Sequence, residues 1–94
     1  MLTLNQFAPL QGQLFELHAG GDGTVPVALI EANALTSQPG AARAPFSLVF
    51  EGPAEPLLPQ AIYGLAHPAL APLDIFLVPV ARSPAGIRYE AVFN

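Results

Sequence analysis

The sequence predicts an all-β domain: a small antiparallel meander of about six strands, forming a barrel or sandwich, with a short N-terminal helical turn. Three observations carry that prediction. Apolar residues recur with a period of two, as in Phe46, Leu48 and Phe50 or in Ile87, Tyr89, Ala91 and Phe93, which places them on one face of a pleated strand. Turn-forming glycines and prolines separate these runs at short intervals. Beyond Leu10 no stretch repeats its apolar residues with helical spacing.

The elements follow in order. Thr3 reads as a helix N-cap with Gln6 as its capping-box partner, and Leu2 can staple onto Phe7. Pro9 disfavours helix at Ala8, so the helix lasts little more than one turn. Leu4, Phe7 and Leu10 then share one side, as a lid over an open core end requires. After a turn at Gly12, Gln13 to His18 alternates, with Phe15 and Leu17 opposing Leu14, Glu16 and His18, and Gly20-Gly21-Asp22-Gly23 makes a hairpin. The returning strand, Thr24 to Ala34, sets Val25, Val27 and Leu29 on one face. Glu31 breaks the pattern, and Pro26, which lacks a ladder donor, predicts an edge or a bulge near the start.

Ser37 to Pro45 reads as a mobile loop without a site. Phe46 to Glu51 is the clearest half-buried strand, ended by Gly52-Pro53, and the prolines of 53–59 predict an extended connection. Ala61 to Ala66 turns Tyr63 and Leu65 to one side; His67-Pro68 opens a turn running through Pro72. The longest nearly unbroken apolar run, Leu73 to Val80, sends Leu73, Ile75 and Leu77 one way and Asp74, Phe76 and Val78 the other. Ser83-Pro84-Ala85-Gly86 turns the chain into the closing strand, Ile87 to Phe93.

Composition narrows the function. The 94 residues make a single domain, which buries roughly two-thirds of its unfolded surface. Without cysteine there is no disulfide or thiolate zinc site. Only 11% of residues are charged, against about 25% in ordinary soluble domains. Lysine is absent, and the three arginines are outnumbered by seven carboxylates, which argues against a nucleic-acid partner. The N-terminus does not read as a secretory signal and no run suits a membrane span. The default expectation is therefore a cytoplasmic protein without membrane insertion, with a non-classical route to the outside or into an assembly left open.

Catalytic chemistry finds little footing. Glu16 and His18 share a strand face and, with His67, would give a mixed carboxylate and imidazole set, but a solvated face and a turn histidine explain them better. Ser37, Ser47 and Ser83 sit in no Gly-x-Ser-x-Gly elbow. Glu51 and Glu55 flank a strand end, where carboxylates ordinarily keep an edge soluble. Gly20-Gly21-Asp22-Gly23 lacks the lysine and following helix of a phosphate loop. The expectation is a non-enzyme with no catalytic residue, metal or cofactor.

Longer motifs run through most of the chain: Phe7-x-x-Leu10-x-Gly12-x-x-Phe15, Phe46-Ser47-Leu48-x-Phe50-x-Gly52-Pro53, Gln60-x-x-Tyr63-x-Leu65-x-His67-Pro68-x-Leu70, Phe76-Leu77-Val78-Pro79-Val80 and Tyr89-Glu90-Ala91-Val92-Phe93-Asn94. In these the chain resembles an uncharacterised bacterial domain-of-unknown-function family. The resemblance implies a bacterial single-domain β protein, carries no catalytic residue across and is loosely associated with proteins resembling phage tail collars. Ala61 and Ala71 stand where the family pattern has glycine, implying different turns there.

With 52% hydrophobic residues, so small a core leaves apolar surface outside. Phe76 and Val78 share a face with Asp74, Val49 with Ser47 and Glu51, and Val92 with Arg88 and Glu90. Apolar residues fringed by charge are the composition of a contact surface. The leading expectation is a structural subunit that self-associates through Phe76, Val78, Val49 and Val92 into a homo-oligomer, a fibre or a tail-like assembly, or that meets a related β protein. The alternative is a small barrel that binds an apolar ligand among its aromatics, or a protein partner.

Overall fold

The computed structural model describes residues 2–19, 23–36, 40 and 44–93. The expected turn at Gly20-Gly21-Asp22 and most of the loop after Thr36, Ser37 and Arg43 included, lie outside the described residues. A helical turn α1 (Leu4–Phe7) runs into a 3₁₀ turn (Ala8–Leu10). Six strands follow: β1 (Leu14–His18), β2 (Thr24–Ala34), β3 (Phe46–Gly52), β4 (Ala61–His67), β5 (Leu70–Ser83) and β6 (Gly86–Phe93). All pair antiparallel in a closed barrel of order β1-β2-β3-β6-β5-β4.

The expected barrel is therefore present, but its strands do not follow one another around it. Chain order holds within β1–β2–β3 and within β4–β5–β6, and it breaks between them. Short turns at Pro68-Ala69 and Pro84-Ala85 keep the second three strands adjacent. The proline-bearing connection 53–60 cannot form so tight a turn, and it delivers β4 beside β1, leaving β3 to pair with β6.

Two other expectations bear on prolines. Pro26 pairs with Glu16 on the β1 side and, as expected near the start of this strand, lies at an open edge on the other. The Leu29 amide donates to the Gln13 carbonyl (3.0 Å), so the Pro26 nitrogen, three residues back, faces the β3 side. Pairing with β3 begins only at Ala28, and the missing donor costs nothing there. The register shift comes later, between Leu29 and Glu31. Ile30 is the extra residue, which accounts for the alternation Glu31 breaks; its carbonyl accepts from Gln11 Nε2 (2.9 Å). β5 is also longer than the expected Leu73–Val80. It starts at Leu70 and so takes in Pro72, expected in the preceding turn; Pro72 and Pro79, the latter already within the expected strand, both fall at irregularities where a strand tolerates proline. Ala61 and Ala71 lie in strands, not turns.

The interior is filled. Phe15 meets Phe50 edge-to-face at 5.5 Å, with Leu17, Val27, Leu29, Leu48, Leu65, Ile75 and Leu77 enclosed around them. The helical turn closes one end as its spacing requires: the Thr3 amide donates to Gln6 Oε1 (2.7 Å), Phe7 is completely buried, and Leu4 and Leu10 pack on the core. Phe7 lies 5.9 Å from both Phe46 and Phe93, which stack on each other at 4.7 Å. At the other end the connection 53–60 plugs the barrel with Leu58, whose amide donates to the Tyr89 hydroxyl (3.0 Å). Tyr63 donates to the Pro59 carbonyl beside it. Burial, and then Tyr89 nearby, raises the Tyr63 pKa above the ordinary tyrosine value. Gly86 starts β6 with φ of 146°, and a Cβ there would sit 1.9 Å from the Gly52 carbonyl oxygen.

Candidate interaction surface

Because inward positions of a closed barrel alternate with outward ones, the residues opposite that core make up its outer wall. Phe76 on β5 pairs with Ile62 on β4. Extending the Val78↔Glu90 register by two residues sets Phe76 opposite Val92 on β6, and Val92 in turn pairs with Ser47 on β3. Ile62, Phe76 and Val92 thus form a row across three neighbouring strands, and their relative exposures are 69%, 52% and 50%. One step along, Val49 and Val78 flank Glu90 in the next row and are partly buried. Bulged Val80 is half exposed beyond them.

All four residues expected at an interface therefore lie on one outer face. Phe76 and Val92 stand out from it, while Val49 and Val78 lie lower. Ile62 was not singled out from the sequence, although the alternation that turns Tyr63 and Leu65 inward already sends it outward. Ser47 shares the outer face but is 4% exposed. Its small side chain lies between the cross-strand neighbours Asn33 and Val92.

Beside the apolar row is a trench. Going outward along β4, Ile62 is followed by Gly64 and Ala66, while the strands on either side carry larger groups. The registers Glu16↔Ala66, His18↔Gly64 and Gly64↔Asp74 place β1 and β5 as its two walls. A Cβ added to Gly64 would touch His18 Cβ at 3.4 Å and lie 3.9 Å from Asp74 Oδ1, so the floor there is a cleft about one methyl group wide between those side chains. Two hollows, of about 210 and 520 Å³, adjoin at Ala66 and Pro72, the smaller beside His18 and Asp74 and the larger bounded by Leu14, Pro26 and Leu70.

The candidate catalytic groups do not assemble. Glu16 and His18 are on the trench wall, but His67 turns to Gln13 Oε1 (2.8 Å) and its ring lies tilted against Phe15 at 4.6 Å. Its Nδ1 accepts from the Ala69 amide (2.9 Å), so it caps its own hairpin. Among the described residues no three metal-ligating side chains converge. Glu51 accepts hydrogen bonds from Ser83 Oγ (3.2 Å) and Arg88 Nε (3.4 Å) at the strand ends, while Glu55 is exposed in the connection. That exposed ion pair contributes at most about 1 kcal/mol.

A family model for a domain of unknown function, DUF6916, matches residues 2–93. The chain belongs to that family. No curated protein and no solved structure matches it. Membership in DUF6916 accords with the motif-based resemblance and assigns no activity, so the function of this DUF6916 domain has to be argued from its surface.

Proposed function

We propose that this domain is a non-enzymatic structural subunit that self-associates through the outer face of β4, β5 and β6. The observation behind this reading is the row Ile62, Phe76 and Val92, three large apolar side chains at least half exposed on adjacent strands. Such groups on paired strands hold fixed positions, so covering them costs little ordering entropy. Fully burying a side chain of this size contributes about 1.5–3 kcal/mol, and roughly half or more of that is still available at each of these half-exposed positions. Glu90 in the next row, with Arg88 two residues beyond it, supplies the polar fringe of a contact surface. An apolar, filled interior with charge on the wall is the reverse of a membrane barrel, whose lumen is polar, which supports a contact with protein and not with lipid.

A two-fold contact pairs the row with itself and gives a dimer; a head-to-tail contact gives a fibre or tail-like assembly. Because the chain carries a net charge of −4, association of copies strengthens with added salt. Light scattering across a concentration series reads the mass, and negative-stain microscopy separates dimer from filament. Particles larger than the 9.8 kDa chain, reduced to that mass by Phe76→Glu or Ile62→Glu, are the expected result. A strict monomer at high micromolar concentration, indifferent to Phe76→Glu, overturns the proposal.

A further inference from the structure

The trench on β4 lies beside the apolar row, and its chemistry differs. Its floor is Gly64 and Ala66, its walls carry Glu16 and Asp74, and neither hollow is lined by an arginine or lysine. Apolar contact comes from Leu14, Leu70 and Pro72. We infer that the trench binds an extended peptide segment, supplied by another protein, in which apolar residues alternate with arginine or lysine.

Three features select that ligand. Charge comes first: carboxylates stand on both walls, so a guanidinium or ammonium is the complementary group. A second copy of this chain would bring further negative charge, and its sequence has no lysine and only three arginines. Period comes next. The trench runs along a strand, and a ligand lying extended beside β4 presents alternate side chains at the same repeat as Gly64 and Ala66. Closure is the third. β4 is paired with both β1 and β5, so a peptide cannot add as another strand and must be recognised by its side chains from the face. Prolines at 26 and 72 stiffen the walls, which lowers the ordering cost of binding.

Fluorescence anisotropy with a labelled short peptide alternating leucine and arginine, against its glutamate-for-arginine twin, tests this in the full chain. The arginine peptide binds and the glutamate twin does not. Glu16→Gln with Asp74→Asn weakens binding by about tenfold or more, and added salt does the same to the unaltered chain. Gly64→Leu fills the trench and abolishes binding; its Cβ makes only ordinary contact with His18, and a side chain suits a strand better than glycine does. Should that variant fail to fold by circular dichroism, Ala66→Leu fills the same floor. Failure of the arginine peptide to bind, equal binding of both peptides, or binding that survives the filled trench overturns the inference. Phe76→Glu leaves peptide binding intact, so this result and the assembly result are independent.

Discussion

Strands β4, β5 and β6 carry two apolar faces made of similar residues and covered to different extents. Inside, Tyr63, Leu65, Ile75, Leu77, Tyr89 and Ala91 are enclosed. Outside, Ile62, Phe76 and Val92 alternate with them along the same strands and remain half open or more. Residue type does not distinguish the two faces, since phenylalanine, isoleucine and valine belong by preference to an interior. The difference is one of position in the pleat. The inner face is over-determined, closed at one end by Phe7 and at the other by Leu58, so its side chains are committed to stability. The outer face carries hydrocarbon that the barrel's own core leaves uncovered, and it is this surplus that the proposed contact would cover.

If this division is right, substitutions inside should act on folding and substitutions outside on association. The largest effect falls at Gly86. A Cβ 1.9 Å from the Gly52 carbonyl oxygen cannot be relieved by a side-chain rotation, because both partners are backbone, and the φ of 146° is one that L-residues resist. Gly86→Ala should cost more than about 4 kcal/mol, a large share of the stability of so small a domain. Urea titration followed by tyrosine fluorescence should show it largely unfolded, and a native-like midpoint would mean that β3 and β6 are less tightly apposed than described. Phe7→Ala comes next. It removes a fully buried ring from the Phe46 and Phe93 cluster and should cost about 3–5 kcal/mol. A cost below about 1 kcal/mol would mean that the helical turn rests on the barrel without closing it.

Legibility in the sequence follows the same division. Alternation in Phe46–Phe50 or Ile87–Phe93 is local, and each run settled its own inner and outer faces. What depended on contacts between distant segments stayed hidden. Leu58 looks like one leucine in a proline-rich connection, and its burial depends on a tyrosine hydroxyl 31 positions away. The displacement of β4 to the side of β1 rests on where that connection lands, and no motif encodes it. Prolines were only partly legible: Pro26 stands where its nitrogen faces an unpaired stretch, as its missing donor requires, and Pro79 lies in the strand expected to hold it, whereas Pro72, expected in a turn, lies inside β5 because an irregularity accommodates it. The outer row was partly legible, as Phe76, Val78, Val49 and Val92 follow from alternation alone. The trench was not, since Gly64 becomes a gap only when His18 and Asp74 are set on either side of it.

A smaller effect on the inner face comes from Tyr63. Its pKa is raised in the folded state by burial and by Tyr89, so the neutral phenol is favoured there. The corresponding stability is fully present below the unfolded value of about 10 and is lost as pH rises from there through the folded value. The alkaline limb is unusually clean, because the chain has neither lysine nor cysteine to titrate alongside the tyrosines. Urea midpoints measured from about pH 8 to about pH 11 should therefore fall at the high end, and Tyr63→Phe should flatten that fall. An unchanged slope in the phenylalanine variant would move the titrating group elsewhere.

The smallest effect on folding is expected where the effect on assembly is greatest. Phe76→Glu exchanges a half-exposed ring for a carboxylate that can reach water, and its strand remains anchored from within by Ile75 and Leu77. Substitutions at such a site stay within about 0.5 kcal/mol, so the thermal midpoint of dilute protein should barely move while the mass at high concentration falls. Both readings are needed together. A loss of mass accompanied by a large loss of stability would mean that Phe76 supports its own barrel, and the contrast between the two faces would fail at the residue that best represents it. A loss of mass at constant stability would assign the ring to the contact between copies, since the folded monomer would then have no measurable need of it.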